Sequence, residues 1–296
     1  MKKVLFFFLG VFTLMAVALG FLWNWLPGEA EIKGCLTTRM YQVFLCPGSK
    51  EYVPLKNISS YLQKTVILTE DSNFLNHNGF DWKAIEKNAR AGWESGVFKR
   101  GGSTITQQLA KNMFLNKDRT FLRKGLEAII TDRIENTLTK KEILERYLNV
   151  VEFGKNVYGV KAAAKFYFKK SPAELSIVES AFFAMLLPNP IKYSQSYYRK
   201  ELTSFAKKRM SEIIENMYRY HRINEEEYGT ATHQLTYFFK AEALPQELDV
   251  PQDQIPTLQD LESAEAADME SGDQDEAVEI QLPENPPEEN AVPPTE

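Results

Sequence analysis

The feature that most constrains this chain is an uncharged run of 23 residues, 4–26, directly after Lys2 and Lys3. At about 1.5 Å per residue, a helix of that length crosses the ~30 Å hydrocarbon core of a bilayer with some tilt. Trp23 and Trp25 stand at its far end, where indole rings favour the membrane interface. The two lysines ahead of it place the N-terminus in the cytoplasm and everything after Leu26 on the outer side. A cleaved leader is the competing reading, since Ala16-Val17-Ala18 has the small-residue form of a cleavage site. The apolar run continues well past that site and exceeds the roughly 7–15 residues of a leader's apolar region, so an anchor is the preferred reading.

Charge divides the rest. Residues 241–296 hold 17 acidic side chains and no Lys or Arg, which leaves 35 basic against 23 acidic residues in positions 1–240. A basic body calls for an anionic partner, whether nucleic acid, a phosphorylated ligand or a membrane surface. Export behind an anchor argues against nucleic acid. The tail has no aromatic residue and is rich in Pro, Glu, Asp and Gln. Such a composition cannot bury enough apolar surface to offset chain entropy, which predicts disorder over 241–296. It serves either as a solubilising polyanion or as an intramolecular cover for the basic body. Cys35 and Cys46 either form one bridge in an oxidising compartment or remain thiols; no His lies near them, and two ligands do not close a zinc site.

Between these ends the signals are helical. Residues 27–58 form a membrane-proximal lead broken by Gly34, Pro47 and Gly48. From 59 to 240, Ser59 or Ser60 caps a helix whose far end delivers Glu70 and Asp71. Asp81 reads as an N-cap with Phe80 and Ile85 as a hydrophobic staple, and Ser103 or Thr104 caps the next helix. Leu122, Leu126, Ile129, Ile130, Ile134 and Leu138 recur at helical spacing. Thr139 with Glu142 forms a capping box, and Ser171-Pro172-Ala173-Glu174 opens an apolar helix that Pro188 ends. No stretch alternates at period two, so the expectation is one mainly α domain.

Three groups carry chemistry. If the helix around Glu70 persists, Glu70, Phe74 and His77 share a face, and a carboxylate beside a ring and another acid (Asp71) can have the raised pKa of a general base. A solvated acid at a helix end is the plainer reading. Gly101 and Gly102, followed by Ser103 and Thr104 at a helix start, make an anion cradle of backbone N–H groups. Thr104, Gln108 and Lys111 line one face of the helix that follows, with Asn112 beside them. The order of residues is not that of a nucleotide P-loop. Arg119, Arg123 and Glu127 recur every fourth residue with Lys124 among them, either as an ordinary exposed ion pair or as a cationic clamp for phosphates beside a second carboxylate. Ser204 and Lys207 have the spacing of a penicillin-binding nucleophile, but lie in a charged helical stretch with too little folded chain after them for a transpeptidase domain.

Taken together these runs resemble glycosyltransferase family 51, the peptidoglycan glycosyltransferases. The resemblance rests on Glu70-Asp71-x-x-Phe74-x-x-His77-x-Gly79, on Gly101-Gly102-Ser103-Thr104 through Gln108, Lys111 and Asn112, on Arg123-Lys124-x-x-Glu127, on Lys141 to Asn149, and on Gly159 to Phe168. Gly154-Lys155-Asn156 departs from the family's Gly-x-Gly, although Asn tolerates a left-handed backbone. The resemblance implies a lysozyme-like helical fold behind one transmembrane helix, at the inner (cytoplasmic) membrane with the catalytic domain outside. It implies lipid II and the nascent glycan chain as substrates, membrane lipid as a neighbour, and cell-wall synthesis or division proteins as candidate partners. Inversion at the donor's anomeric carbon follows, with Glu70 as general base and Lys111, Arg119, Arg123 and Lys124 neutralising the pyrophosphate that leaves. Asp71, Phe74, His77, Gly101, Ser103, Thr104, Gln108 and Asn112 are carried over as substrate-binding positions. Glu127 either orients the cations or holds a divalent ion, Mg2+ or Mn2+. Trp82, Trp93, Val97 and Phe98 flank the second run, as interfacial anchors or as core.

Overall fold

Many helix starts in this chain are set by side chains that satisfy otherwise free N–H groups. A computed structural model describes residues 2–96, 102–118, 120–240 and 251–269. Asp81 accepts from the Ala84 N–H at 3.0 Å, and Thr104, Thr139, Ser176 and Asn224 each close a reciprocal box with the Gln or Glu three residues on. Two expected starts differ. The Ser59 hydroxyl does not cap its helix but donates to the Leu175 carbonyl at 2.7 Å. Ser171 opens only a single 3-10 turn, Pro172–Glu174, and the apolar helix begins at its own box from Ser176.

The helices are α1 (Lys2–Trp25), α2 (Glu29–Lys33), α3 (Ser60–Glu70), α4 (Trp82–Ser95), α5 (Ile105–Phe114), α6 (Phe121–Thr137), α7 (Lys140–Val150), α8 (Gly159–Phe168), α9 (Ile177–Leu186), α10 (Pro190–Tyr193), α11 (Gln195–Tyr198), α12 (Ser204–Arg219), α13 (Glu225–Thr236) and α14 (Leu258–Met269). Two small antiparallel ladders complete the fold: β1 (Leu36–Thr37) with β2 (Phe44–Leu45), and β3 (Glu152–Gly154) with β4 (Val157–Tyr158). Helix α1 is continuous over 24 residues. Among the described residues no helix is long and apolar enough to cross a membrane.

Every residue of α9 is buried, which makes it the central rod, with α3, α12, α13 and β3 against it. A second cluster forms where α5 packs between α6 and α7. The apolar residues of α6 divide by depth: Ile130, Ile134 and, just beyond the helix, Leu138 are buried, whereas Leu122 is 72% exposed.

The lead is not a free spacer. Leu26, Ile32, Leu45 and Val53 are buried with the rest of the core. Asn149 reads the backbone of Val53 in both directions, at 2.8 and 2.9 Å. Glu145 accepts from the Tyr52 hydroxyl and the Leu55 N–H, both at 2.6 Å. Arg146 donates to the Lys33 carbonyl at 2.8 Å. Cys35 and Cys46 form a disulfide that ties β1 to β2.

The expectation of a disordered acidic tail differs from the structure over residues 251–269. There a 3-10 turn, Gln252–Gln254, and α14 lie on the helical body, with α14 against α10. Lys155 pairs with Asp260 at 2.7 Å, and Asn156 and Tyr198 donate to the carbonyls of Asp253 and Gln254 at 2.9 and 2.8 Å. Composition understated this segment because a few specific polar contacts dock it without a large apolar face. The remainder of the predicted tail lies outside the described residues.

Candidate active site

Helix α3 stops at Glu70, and this places the carboxylate. Asp71 leaves helical conformation at φ −161°, ψ 72°, and a 3-10 turn, Phe74–Asn76, follows. The helix does not persist, so Glu70, Phe74 and His77 do not share a face. Instead Asp71 turns inward: one oxygen pairs with His77 Nε2 at 2.8 Å and the other accepts from the Ile105 N–H at the start of α5, at 3.0 Å. Phe74 is fully buried, with Lys140 Nζ 4.6 Å from its ring centre. Asp71, Phe74 and His77 thus form the base under Glu70 and lock α3 to α5.

Glu70 is half-buried and accepts from Gln108 Nε2 at 2.9 Å. The buried Tyr147 hydroxyl donates to Gln108 Oε1 at 3.0 Å, which fixes the amide so that its NH2 faces the carboxylate. Burial raises the Glu70 pKa, while the Gln108 hydrogen bond and the positive charges of Arg209 and Lys111 pull it down. Desolvation lowers the Lys111 pKa, against the nearby carboxylates of Glu127 and Glu70. Lys111 therefore stands within the electrostatic reach of both acids.

Glu127 is not part of an exposed pair. It is 2% exposed; Arg123 Nη1 lies 2.7 Å from one oxygen, and Lys124 Nζ pairs with the other. Lys124 Nζ also lies 3.3 Å from Ser103 Oγ. A buried carboxylate holding two cations fixes their position, and removing it would leave charges poorly solvated. With both oxygens so engaged, Glu127 does not fit a protein-held divalent ion. Among the described residues no group of three or more His, Cys, Asp or Glu side chains gathers.

Thr104 is buried, capping α5 and donating to the Gly79 carbonyl at 2.7 Å, so it shapes the helix start rather than facing outward. Gly102 has φ +113°, a backbone conformation glycine adopts without penalty. Asn112 is buried, and its side-chain oxygen has no hydrogen-bond partner among the described residues. Gly101, Val97, Phe98 and Arg119 lie outside the described residues. Asn156, at the position of the departure from Gly-x-Gly, holds φ +57°, so the left-handed turn is kept.

The arrangement joins one half-buried carboxylate to a row of cations held by a second carboxylate. Sequence reasoning missed three contributors. Tyr147 stood in a quoted run without a role. Arg209 lies 139 positions after Glu70, and only the packing of α12 on α3 brings it near. Glu152 is a third shielded acid, its pKa pushed up to about 6 by burial.

These residues fall within a stretch with known relatives. The sequence profile described as "Transglycosylase" matches residues 39–218. The "Biosynthetic peptidoglycan transglycosylase" of Dechloromonas aromatica is 41% identical over 177 residues, covering 59% of this chain and 77% of that one. Its namesake in Mannheimia succiniciproducens is 42% identical over 189 residues, 63% of this chain and 77% of the other. That of Herminiimonas arsenicoxydans is 49% identical over 143 residues, 48% of this chain and 62% of that one. The solved penicillin-binding protein 1A of Haemophilus influenzae is 29% identical, covering 43% of this chain and 15% of that one, at a TM-score of 0.27 that carries no argument about fold. The site and the match together define a group-transfer enzyme built on helices. The chain belongs to the transglycosylase family.

Proposed function

We propose that this protein polymerises lipid II into glycan strands as a monofunctional peptidoglycan glycosyltransferase. The observation that carries the reading is Glu70, oriented by Gln108, with Lys111 within electrostatic reach of both Glu70 and Glu127, and with the Arg123 and Lys124 cations that Glu127 holds. The acceptor's 4-hydroxyl attacks the donor's anomeric carbon, and Glu70 takes its proton. The bond to the pyrophosphate breaks on the opposite face, with inversion. The leaving group carries the electron pair away as a stable anion, so it needs charge neutralisation more than an acid, and the three cations supply that. Arg119 belongs to the same clamp by its place in the sequence. Ser103 reaches the pyrophosphate region through Lys124. Asp71, Phe74, His77 and Thr104 position the base and the helix start.

The catalytic domain, residues 59–240, works at the bilayer because both substrates carry lipid tails. The uncharged run of 4–26 and the continuous helix α1 support a single-pass anchor in the cytoplasmic membrane with the N-terminus inside. Trp82 and Trp93 are 70% and 84% exposed, and Phe121 and Leu122 are exposed too. Large exposed apolar side chains of this kind favour contact with the membrane interface over internal packing.

A lysozyme-like hydrolase would also use a lone Glu on a helical scaffold, but has no need of the cation row. Incubating the protein separately with lipid II and with polymerised peptidoglycan distinguishes the two. Consumption of lipid II alone, with release of undecaprenyl pyrophosphate, is the predicted result; cleavage of the polymer would overturn the reading.

A further inference from the structure

Glu152 opens β3, immediately after α7, and shares with Glu70 the positive charge of Lys111 as an electrostatic neighbour. Its register partner across the ladder is Tyr158. The ring of Tyr158 stacks on Tyr41, from the turn between β1 and β2, with centroids 4.7 Å apart. The Tyr41 hydroxyl donates to the Glu152 carboxylate. Lys117 Nζ sits 5.1 Å from the centre of the Tyr41 ring, so the aromatic pair lies between a cation and an acid. Glu152 feels the positive charges of Lys117 and Lys111, and Tyr41 lies near enough to Tyr147 to act on it electrostatically. Tyr147 in turn holds Gln108, which holds Glu70. Glu152 and the base are therefore linked by hydrogen bonds at each end and by the electrostatic influence of Tyr41 on Tyr147 between them.

Glu152 is half-buried. Tyr158 on β4 and Tyr167 on α8 stand beside it; of the elements packed on β3, α8 also carries Lys161 and Lys165, α10 carries Lys192 and Tyr193, and α9 carries Glu179, which pairs with Lys170. Neither Lys111 nor Lys117 forms a direct ion pair with Glu152 among the described residues. A carboxylate tied by one tyrosine and partly open retains lone pairs for another donor. The aromatic pair beside it offers an apolar edge, a combination that suits the polar rim and flat face of a sugar. The phosphate clamp lies with α6 and this group with β3 and the lead, so the pyrophosphate and the sugar can be held by different elements.

We propose that Glu152, oriented by Tyr41, is a specificity-determining residue that accepts a hydrogen bond from a hydroxyl or acetamido N–H of a hexosamine of the substrate. The proposal rests on the glycosyltransferase reading above. Because burial pushes the Glu152 pKa up to about 6, the accepting form is lost over a range where an ordinary glutamate stays ionised. Substrate binding should then weaken below about pH 6.

The test is steady-state lipid II polymerisation by the full chain between pH 5 and 8, comparing wild type with Glu152→Gln and Tyr41→Phe. For Glu152→Gln we expect KM about tenfold higher at pH 7, kcat within about threefold, and loss of the rise in KM that wild type shows below pH 6; a hydrogen bond to a charged group accounts for a change of that size. Tyr41→Phe keeps the stack and removes the donor that lowers the Glu152 pKa, so the KM midpoint should move to higher pH. That second variant keeps the proposal testable if Glu152→Gln folds poorly. Wild-type KM and pH dependence in a folded Glu152→Gln, or an unmoved midpoint in Tyr41→Phe, would overturn it. A wild-type protein that makes no glycan from lipid II would instead sink the glycosyltransferase reading itself.

Discussion

At the residue scale, the site is a contest between burial and charge. Burial raises Glu70 and lowers Lys111, and each partly compensates the other. A base with a raised pKa is protonated, and so inactive, at a pH where a free glutamate would still act; a lysine with a lowered pKa loses its charge earlier as pH rises. Activity should therefore trace a bell, its acid limb from Glu70 and its alkaline limb from Lys111. Gln108 stabilises the ionised form of Glu70, so Gln108→Ala should move the acid limb to higher pH and lower kcat about tenfold, measured as a pH–rate profile. An acid limb that stays in place would show that the amide does not tune the base. The residue types of this site were legible in the sequence: Glu70, Gln108, Lys111, Arg123, Lys124 and Glu127 all gather. Their roles were only partly so. Asp71 and His77 stand at motif positions but pair with each other beneath the base, which spacing cannot reveal once α3 ends at Glu70. The shielding of Glu127 was equally hidden, because a stripe at every fourth residue looks the same on a buried face as on an exposed one.

At the scale of elements, capping chemistry was the most readable layer, because each box is local: Asp81, Thr104 and Thr139 cap as their neighbours dictate. Contacts between distant elements were not. Asn149 and Glu145 hold the lead across 96 and 90 positions, and nothing in the lead's own composition marks it as part of the core. Asn149→Ala would leave the buried N–H and carbonyl of Val53 without their partner. Unpaired buried groups cost about 1–3 kcal/mol each, so urea unfolding should show a loss of about 2 kcal/mol or more; wild-type stability would contradict the clamp. The docked segment 251–269 makes a separate prediction. The Lys155 and Thr257 hydrogen bonds hold Asp260 down to about 2, below its unfolded value. A depressed carboxylate contributes stability that is present above the unfolded pKa and is lost as pH falls towards 2. Asp260→Ala should accordingly speed amide exchange at residues 155–157 and within α14 at neutral pH, with little change in α5. Equal exchange in the two proteins would mean that the pair does not hold the segment.

For the whole molecule, the proposed anchor and the catalytic body answer one need. On the proposed reading the cations act on a pyrophosphate that stays at the bilayer surface, so the body would gain little from a site in free solution. Deleting residues 2–25 should leave polymerisation in detergent micelles within a few-fold of wild type, yet reduce it by tenfold or more on lipid II in vesicles. Equal losses in both settings would point to a folding role for the helix. The account as a whole depends on Glu70. Its most direct measurement is the rate of undecaprenyl pyrophosphate release from lipid II by Glu70→Gln, with circular dichroism to confirm folding. Replacing a general base in this way should lower kcat by about 10²–10⁴-fold at unchanged helix content. A folded Glu70→Gln protein that releases pyrophosphate at near the wild-type rate would contradict it.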